Sequence, residues 1–351
     1  MLMLPLIMLS TCAVRNVGSY EAMRLGEEIT DGVKTSSRLW ELLFGDDAVP
    51  ASAVEERRVI VGGDVFGARI YQGYISVCED CDAIGIRRGD IIKAIDNRPV
   101  LSLGEVRGMV ELSGGACEIT VQRGSKTVNI KLSEEDWGRF FPLLRDGAAG
   151  IGTITYIDPE NMSFGGLGHG ICDDTGATIP SAEGVVTGVI IGGVHRGERG
   201  QPGELTGVLT DKCSGKITLN SSEGVFGVFT AKRTDKGTTL PIAKGSEVKE
   251  GAATVVCTVK NGKKAEYSVE IFDVKPSERG TKCFKIRVTD KALLALTGGI
   301  VRGMSGSPII QDGKLVGAVT HVMVANPTEG YGIFIENMLN AAQSQVQPKA
   351  A

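Results

Sequence analysis

The sequence predicts a mainly β protein, and three observations carry that reading. Of 351 residues, 48 are glycine and only 5% are aromatic, a balance that suits a turn-rich chain better than a helical one. From Gly150 onward, Val, Ile, Gly and Thr dominate short segments separated by Gly, Asp and Asn turns, the rhythm of a barrel or sandwich. Gly124-Ser125 and Asp312-Gly313 each stand between two strand-like runs and supply hairpin-turn chemistry.

The chain is long enough for two domains and for a sizeable buried core. A formal net charge of −4 and a pI near 5.6, with no basic run, argue against a nucleic-acid partner. Met1 to Cys12 is almost wholly apolar, and the first basic residue is Arg15. A membrane span needs roughly 20 apolar residues, and a signal peptide normally carries Lys or Arg before its apolar core. The segment therefore reads as the end of a longer signal or anchor, or as an unusually short signal. Leu9-Ser10-Thr11-Cys12 has the outline of a lipoprotein box, with an atypical Thr at the third place. The eight cysteines are scattered without the spacing of a disulfide framework. Cys78-Glu79-Asp80-Cys81 is a lone CxxC; a redox pair or half of a metal site is its functional reading, a surface loop its plain one. No second CxxC or His-x-x-x-His accompanies it to complete a zinc site.

The elements divide the chain into a leader and linker over 1–57, a first module over 58–135 and a second over 136–351. In the leader, Glu21 to Asp31 and Ser37 to Phe44 have the spacing of short amphipathic helices. Arg58 to Val77 reads as two strands around Gly62-Gly63. Gly89-Asp90-Ile91-Ile92 and Ala94-Ile95-Asp96-Asn97-Arg98-Pro99-Val100 then form a charged turn, a strand and a second turn. Leu103, Val106, Val110 and Leu112 have helical spacing, and Cys117 to Val121 with Thr127 to Leu132 closes the module as a hairpin. This run resembles a PDZ domain. The resemblance implies a groove between a sheet edge and the Leu103–Leu112 helix that binds an extended peptide by strand addition.

In the second module the strands run Ile151 to Ile157, Gly184 to Ile191, Gly207 to Thr210, Gly224 to Phe229, Ala253 to Val259, Lys263 to Val274 and Thr281 to Val288. They are followed by Gly303-Met304-Ser305-Gly306-Ser307-Pro308. A serine on a tight turn between glycines is placed to act as a nucleophile, and its small neighbours let backbone N–H groups converge beside it as an oxyanion hole. Pro308 forbids a regular helix, and Ile309 to Gln311, Asp312-Gly313 and Lys314 to Val324 read as strand, turn and strand. That order resembles the nucleophile region of trypsin-like peptidases and implies a double β-barrel. An α/β-hydrolase elbow would need glycine at Ser307.

A nucleophilic serine needs a base, and the chain has three histidines. His169 lies in Phe164-Gly165-Gly166-Leu167-Gly168-His169-Gly170, where flanking glycines keep the ring approachable. His195 lies in a charged turn. His321 sits 321 − 305 = 16 residues after the serine, on an arm of the hairpin read as pointing away from it. His169 is therefore the expected base. For a third, carboxylate member, Asp173, Asp174, Asp211 and Asp290 are candidates. Asp211 follows His169 by 211 − 169 = 42 residues, and Asp290 precedes Ser305 by 305 − 290 = 15; pattern alone does not choose, and a Ser-His dyad is also open.

Four stretches in order, Gly150 to Thr155, Leu167 to Ile171, Gly203 to Gly207 and Val288 to Leu339, resemble the stage IV sporulation protein B family of self-cleaving, PDZ-bearing serine peptidases. The resemblance implies His169 as base, Asp290 as third member and Ser305 as nucleophile. The trypsin-like turn implies Gly303 and Ser305 as oxyanion-hole donors. Such hydrolysis needs no metal or organic cofactor. The family likeness further implies export to the forespore intermembrane space, or membrane association through the N-terminus. Its implied substrates are the chain itself and the extracytoplasmic part of a membrane-bound regulator of an intramembrane metalloprotease, a step that leads to sigma-factor activation. Met304 departs from the Asp that trypsin-like enzymes carry before the serine. Two other classes compete: a PDZ-bearing peptide-binding scaffold with a decayed peptidase domain, and a thiol-redox protein built on Cys78 and Cys81.

Overall fold

The computed structural model describes residues 57–173, 176–179, 183–230, 237–260 and 262–343. The leader expected over 1–57, with its two short helices, lies outside the described residues up to position 56.

β1 (Arg58–Val61) and β2 (Val65–Val77) are joined through Gly62-Gly63. Glycine is required at the first of these, because a Cβ at Gly62 would stand 2.0 Å from the Ile154 carbonyl oxygen. Next come β3 (Ile91–Ile95), β4 (Arg98–Pro99), α1 (Leu103–Leu112), β5 (Cys117–Arg123), β6 (Lys126–Leu132) and α2 (Glu134–Phe140). Then follow β7 (Leu144–Ile157), β8 (Ser163–Gly166), β9 (Gly184–His195), β10 (Glu204–Ser221), β11 (Gly224–Phe229) and β12 (Thr239–Pro241). The last part holds β13 (Gly251–Lys260), β14 (Lys263–Phe272), β15 (Phe284–Val288), α3 (Lys291–Thr297), β16 (Pro308–Gln311), β17 (Lys314–Val322), β18 (Glu329–Phe334) and α4 (Ile335–Gln343).

The expected mainly β class holds, and the strands gather around three cores. β13-β14-β15-β18-β17-β16 is a closed barrel. β15 shows the pattern that builds it: Phe284, Ile286 and Val288 are buried while Arg287 between them is exposed, the period-2 alternation of a one-sided strand. The other strands form one large sheet, in which β7 pairs with β2 as well as with β8. The pairings β7-β8-β11-β10-β9-β2 therefore return to their start. Every strand of this cycle gives a side chain to one core, among them Phe66, Ile154, Phe164, Val186, Ile217 and Val225. The third core lies under β3, β5 and β6, where Ile75, Ile92 and Ile119 meet Val106 of α1 and Trp137 and Phe140 of α2.

These cores do not follow the boundaries expected at 58 and 135. β1 pairs with β7 and β12, and the first half of β2 pairs with β7 and β9; only Ile75 and Ser76 pair with β3. The change falls at Gly73 (φ +73°), where the β2–β7 register skips from Tyr71 to Ser76. At the other end the third core runs on to Leu144. The physical reason is that a strand's own alternation reports its buried face but not its partner, and partner choice is non-local. Among the described residues, no helix is long and apolar enough to cross a membrane.

Candidate active site

The serine turn hangs between α3 and β16. Gly303 (φ +96°) and Gly306 (φ +92°) bracket it in the left-handed region that favours glycine. At Gly306 a Cβ would lie 2.0 Å from the Thr153 carbonyl oxygen and 2.3 Å from the Leu167 nitrogen, so the turn packs backbone to backbone on β7 and on the loop carrying His169. Two buried threonines of β7 hold it. Thr153 Oγ1 donates to the Gly303 carbonyl at 2.8 Å, and Thr155 Oγ1 donates to the Gly306 carbonyl at 2.7 Å. The Thr153 amide donates to the Ser305 carbonyl at 2.9 Å, and the Gly306 amide to the Val319 carbonyl at 2.7 Å. Met304 is buried, and its amide donates to the Val301 carbonyl. Among the described residues, the amides of Gly303 and Ser305 on either side have no acceptor, and both residues line the same cleft.

His169 is delivered by two consecutive left-handed residues, Leu167 (φ +64°) and Gly168 (φ +65°), which turn the chain out of β8. Gly168 is in close contact with β17: a Cβ there would be 3.0 Å from Thr320 Cγ2 and 3.3 Å from the Val319 carbonyl oxygen. Beyond the histidine, the buried Asn220 side chain accepts from the Ile171 amide and donates to the Ile171 and Ile179 carbonyls, at 2.8 to 2.9 Å, and so fixes the far end of the loop. The His169 Nδ1 is 2.9 Å from the Gly170 carbonyl oxygen. A carbonyl only accepts, so Nδ1 carries the proton and Nε2 keeps its lone pair. Burial holds the His169 pKa below the usual imidazole value, and the Gly170 carbonyl acts in the opposite direction.

His169 and Ser305 line one cleft of about 370 Å³, together with His321 and an apolar set that includes Ile151, Leu167, Pro202, Ile300, Val322 and Val324. The Ser305 hydroxyl donates to the Thr320 carbonyl at 2.8 Å. The reading of His321 as pointing away from the serine is corrected here. Its ring centroid is 5.1 Å from that of His169, with the two planes 35° apart. Register explains the proximity: Pro308 faces Ala318 and Ile309 faces Gly317, and continuing that pairing brings Thr320 and His321 opposite Ser305. Burial, then His169 and Lys282, push the His321 pKa down to about 4.

The remaining expected residues lie elsewhere. Asp290 is not among the residues lining the cleft. It is the N-cap of α3, its Oδ1 accepting from the Ala292 and Leu293 amides at 2.9 Å each. Asp211 is exposed on β10, and His195 is exposed at the end of β9 opposite Glu204. Asp173 holds a tight turn by accepting from the Ala177 amide, and Asp174 lies outside the described residues. Cys78 and Cys81 are free thiols that do not line the cleft. The sequence reading missed Thr153, Thr155 and Asn220. The signal for the first two was present: Thr-x-Thr inside Ile151 to Ile157 places two hydroxyls on one face of a buried strand.

A serine whose own amide and that of Gly303 lack acceptors shares a cleft with a histidine of defined tautomer in a β-rich fold, which is in keeping with a serine-peptidase-like protein. The chain belongs to the SpoIVB peptidase S55 family, whose model matches residues 140–339. No curated protein matches it. Among solved structures, it is similar to an HtrA-type protease, AlgW with a decapeptide, at 10% identity and a TM-score of 0.35, over 57% of this chain and 54% of that one. The chain thus spans about half the length of that protease. It is also similar to an inactive serine-to-alanine form of Rv3671c from M. tuberculosis H37Rv, at 14% identity and a TM-score of 0.29, over 48% of this chain and 85% of that one.

Proposed function

We propose that the protein is a serine endopeptidase in which Ser305 is the nucleophile and His169 the base. The observation that carries this reading is the shared cleft, where Ser305, two acceptor-free amides and a histidine with a free Nε2 converge. Rotation about χ1 of Ser305 takes Oγ from the Thr320 carbonyl into the cleft. Oγ attacks the scissile carbonyl while His169 Nε2 takes its proton, and the Gly303 and Ser305 amides receive the developing oxyanion. His169 then returns the proton to the leaving amine, and water hydrolyses the acyl-enzyme by the same route. We read the β7-β8-β11-β10-β9-β2 cycle as the partner of the closed barrel in a trypsin-like pair. The third core, carried between Gly73 and Leu144, is read as a PDZ module inserted into that first barrel, binding an extended peptide.

Asp290, the third member implied by the family likeness, is proposed to act at one remove. It caps the helix that leads through Gly298-Gly299 into the nucleophile segment, so its carboxylate holds the segment rather than the imidazole. The family setting supports self-cleavage and cleavage of a membrane-bound regulator in sporulation signalling outside the cytoplasm. The test is to express the full chain, follow self-cleavage on a gel and label it with a fluorophosphonate. Cleavage and labelling are expected from the native chain and from neither Ser305→Ala nor His169→Ala. Cleavage unaltered by both substitutions overturns the assignment, and absence of labelling in the native chain favours a peptide-binding scaffold.

A further inference from the structure

We infer that His321 is a positioning residue for His169, its ring packing against that of the base so that, with the Gly170 carbonyl, it fixes the plane of the imidazole. The inference rests on the peptidase reading given above. A general base needs a fixed tautomer, a fixed ring plane and an environment that accepts the imidazolium. The Gly170 carbonyl meets the first need by holding Nδ1–H at 2.9 Å. One bond to the adjacent residue leaves the ring free to rock about it. The His321 ring, 5.1 Å away and tilted by 35°, lies against the imidazole and limits that motion. Its backbone is fixed on β17, next to the Thr320 carbonyl that receives the Ser305 hydroxyl at 2.8 Å, so nucleophile and base are both registered against neighbouring residues of one strand.

The third need requires that His321 add no positive charge beside the base. The groups whose charges bear on His321 are His169, from the loop after β8, and Lys282, from the segment before β15. Both disfavour its protonation, as does burial, so His321 stays neutral at neutral pH and presents an uncharged aromatic face to His169 when the base takes up its proton. A charged His321 would place two cations face to face.

The experiment compares His321→Ala and His321→Phe in the full chain, reading the rate of fluorophosphonate labelling against pH. Labelling needs the activated serine but not the natural substrate. His321→Ala is expected to slow labelling by roughly tenfold to a hundredfold, the cost of misplacing a catalytic group by about an ångström. It is also expected to move the acid limb of the profile upward, because water then reaches the His169 ring. His321→Phe retains a flat ring and is expected to recover labelling to within about threefold of the native rate, with the acid limb near its native position. A native rate and native acid limb in His321→Ala, with His169→Ala inert, overturns this inference and leaves the peptidase reading standing. Equal losses in the Phe and Ala variants, both with native circular dichroism, also overturn it. Undiminished labelling in His169→Ala overturns the peptidase reading itself.

Discussion

Thr153→Val removes a hydroxyl and little else, and it tests whether β7 holds the nucleophile turn in its working shape. The Oγ1 of Thr153 is buried and donates to the Gly303 carbonyl at 2.8 Å, while the residue's own amide holds the Ser305 carbonyl at 2.9 Å. Valine keeps the volume, the β-branching and the amide, so strand and sheet remain. The Gly303 carbonyl, on a buried residue, then has no donor, at a cost of about 1–3 kcal/mol. Two relaxations are open. If the turn stays put, the whole cost falls on global stability. If the Gly303 peptide rotates, it carries its neighbouring amides out of line and the cost appears as a smaller population of the competent turn. One to three kcal/mol corresponds to roughly a 5- to 150-fold change in that population. Gly303 and Gly306 are both in left-handed conformations that a turn without its clamp can leave, so the second relaxation is expected. Fluorophosphonate labelling should slow by a factor in that range, with a urea midpoint that falls by less than the same free energy predicts. Thr153→Ser, which restores the donor, should recover most of the rate. Native labelling in Thr153→Val alongside an inert Ser305→Ala would refute the reasoning.

Further expectations follow from the same geometry. Gly306→Ala forces a Cβ to within 2.0 Å of the Thr153 carbonyl oxygen at φ +92°, so a loss of about 2–4 kcal/mol in urea unfolding and abolished labelling are expected. Asp290→Asn keeps an N-cap acceptor and should leave labelling within several-fold of native, whereas Asp290→Ala should cost about 0.5–2 kcal/mol of stability. A loss of about ten-thousandfold in Asp290→Asn would instead mark a direct partner of the imidazole. His169 and His321 both have depressed pKa values, so the unfolded chain binds their protons first as pH falls. Stability should therefore decline from about pH 6.5 downward. The His321 share should be lost over the interval down to about pH 4 and be absent in His321→Phe, as read by thermal unfolding against pH.

Much of the site was legible because its signals are local. Gly-Met-Ser-Gly-Ser-Pro states its turn in six residues, and the Asp312-Gly313 hairpin follows within a few more. The Gly168-His169-Gly170 run likewise declares a bend that presents a ring to the cleft, and Leu103–Leu112 forms the helix its apolar spacing predicts. The strands of the second module appear where Val, Ile and Thr cluster. What stayed hidden was partnership. Arg58 to Val77 reads as strands, yet nothing in those residues says that they belong with β7, β9 and β12 rather than with β3. Asn220 is 220 − 171 = 49 positions from the loop it fixes, and no pattern in either segment announces the other.

Two residues show in geometry what the sequence pattern conveys and what it leaves out. Excluding His321 requires the second arm of a hairpin to leave the vicinity of the first. Antiparallel register requires the reverse: Gln311 pairs with Lys314 and, after one bulge, Pro308 with Ala318, so positions whose numbers sum to about 626 face one another. Ser305 and His321 satisfy that sum. Asp290 carried two legible signals at once, a family position and a helix start, since an acidic residue before Lys-Ala-Leu-Leu-Ala-Leu is an N-cap pattern. A carboxylate with both helix amides already on one oxygen has its orientation set by the helix, and α3 in turn sets where the chain enters the nucleophile segment. On the reading proposed above, its influence on the reaction runs through the backbone of residues 298–305. That route predicts sensitivity to losing the cap and tolerance of Asn, the reverse of what a partner to the imidazole would show.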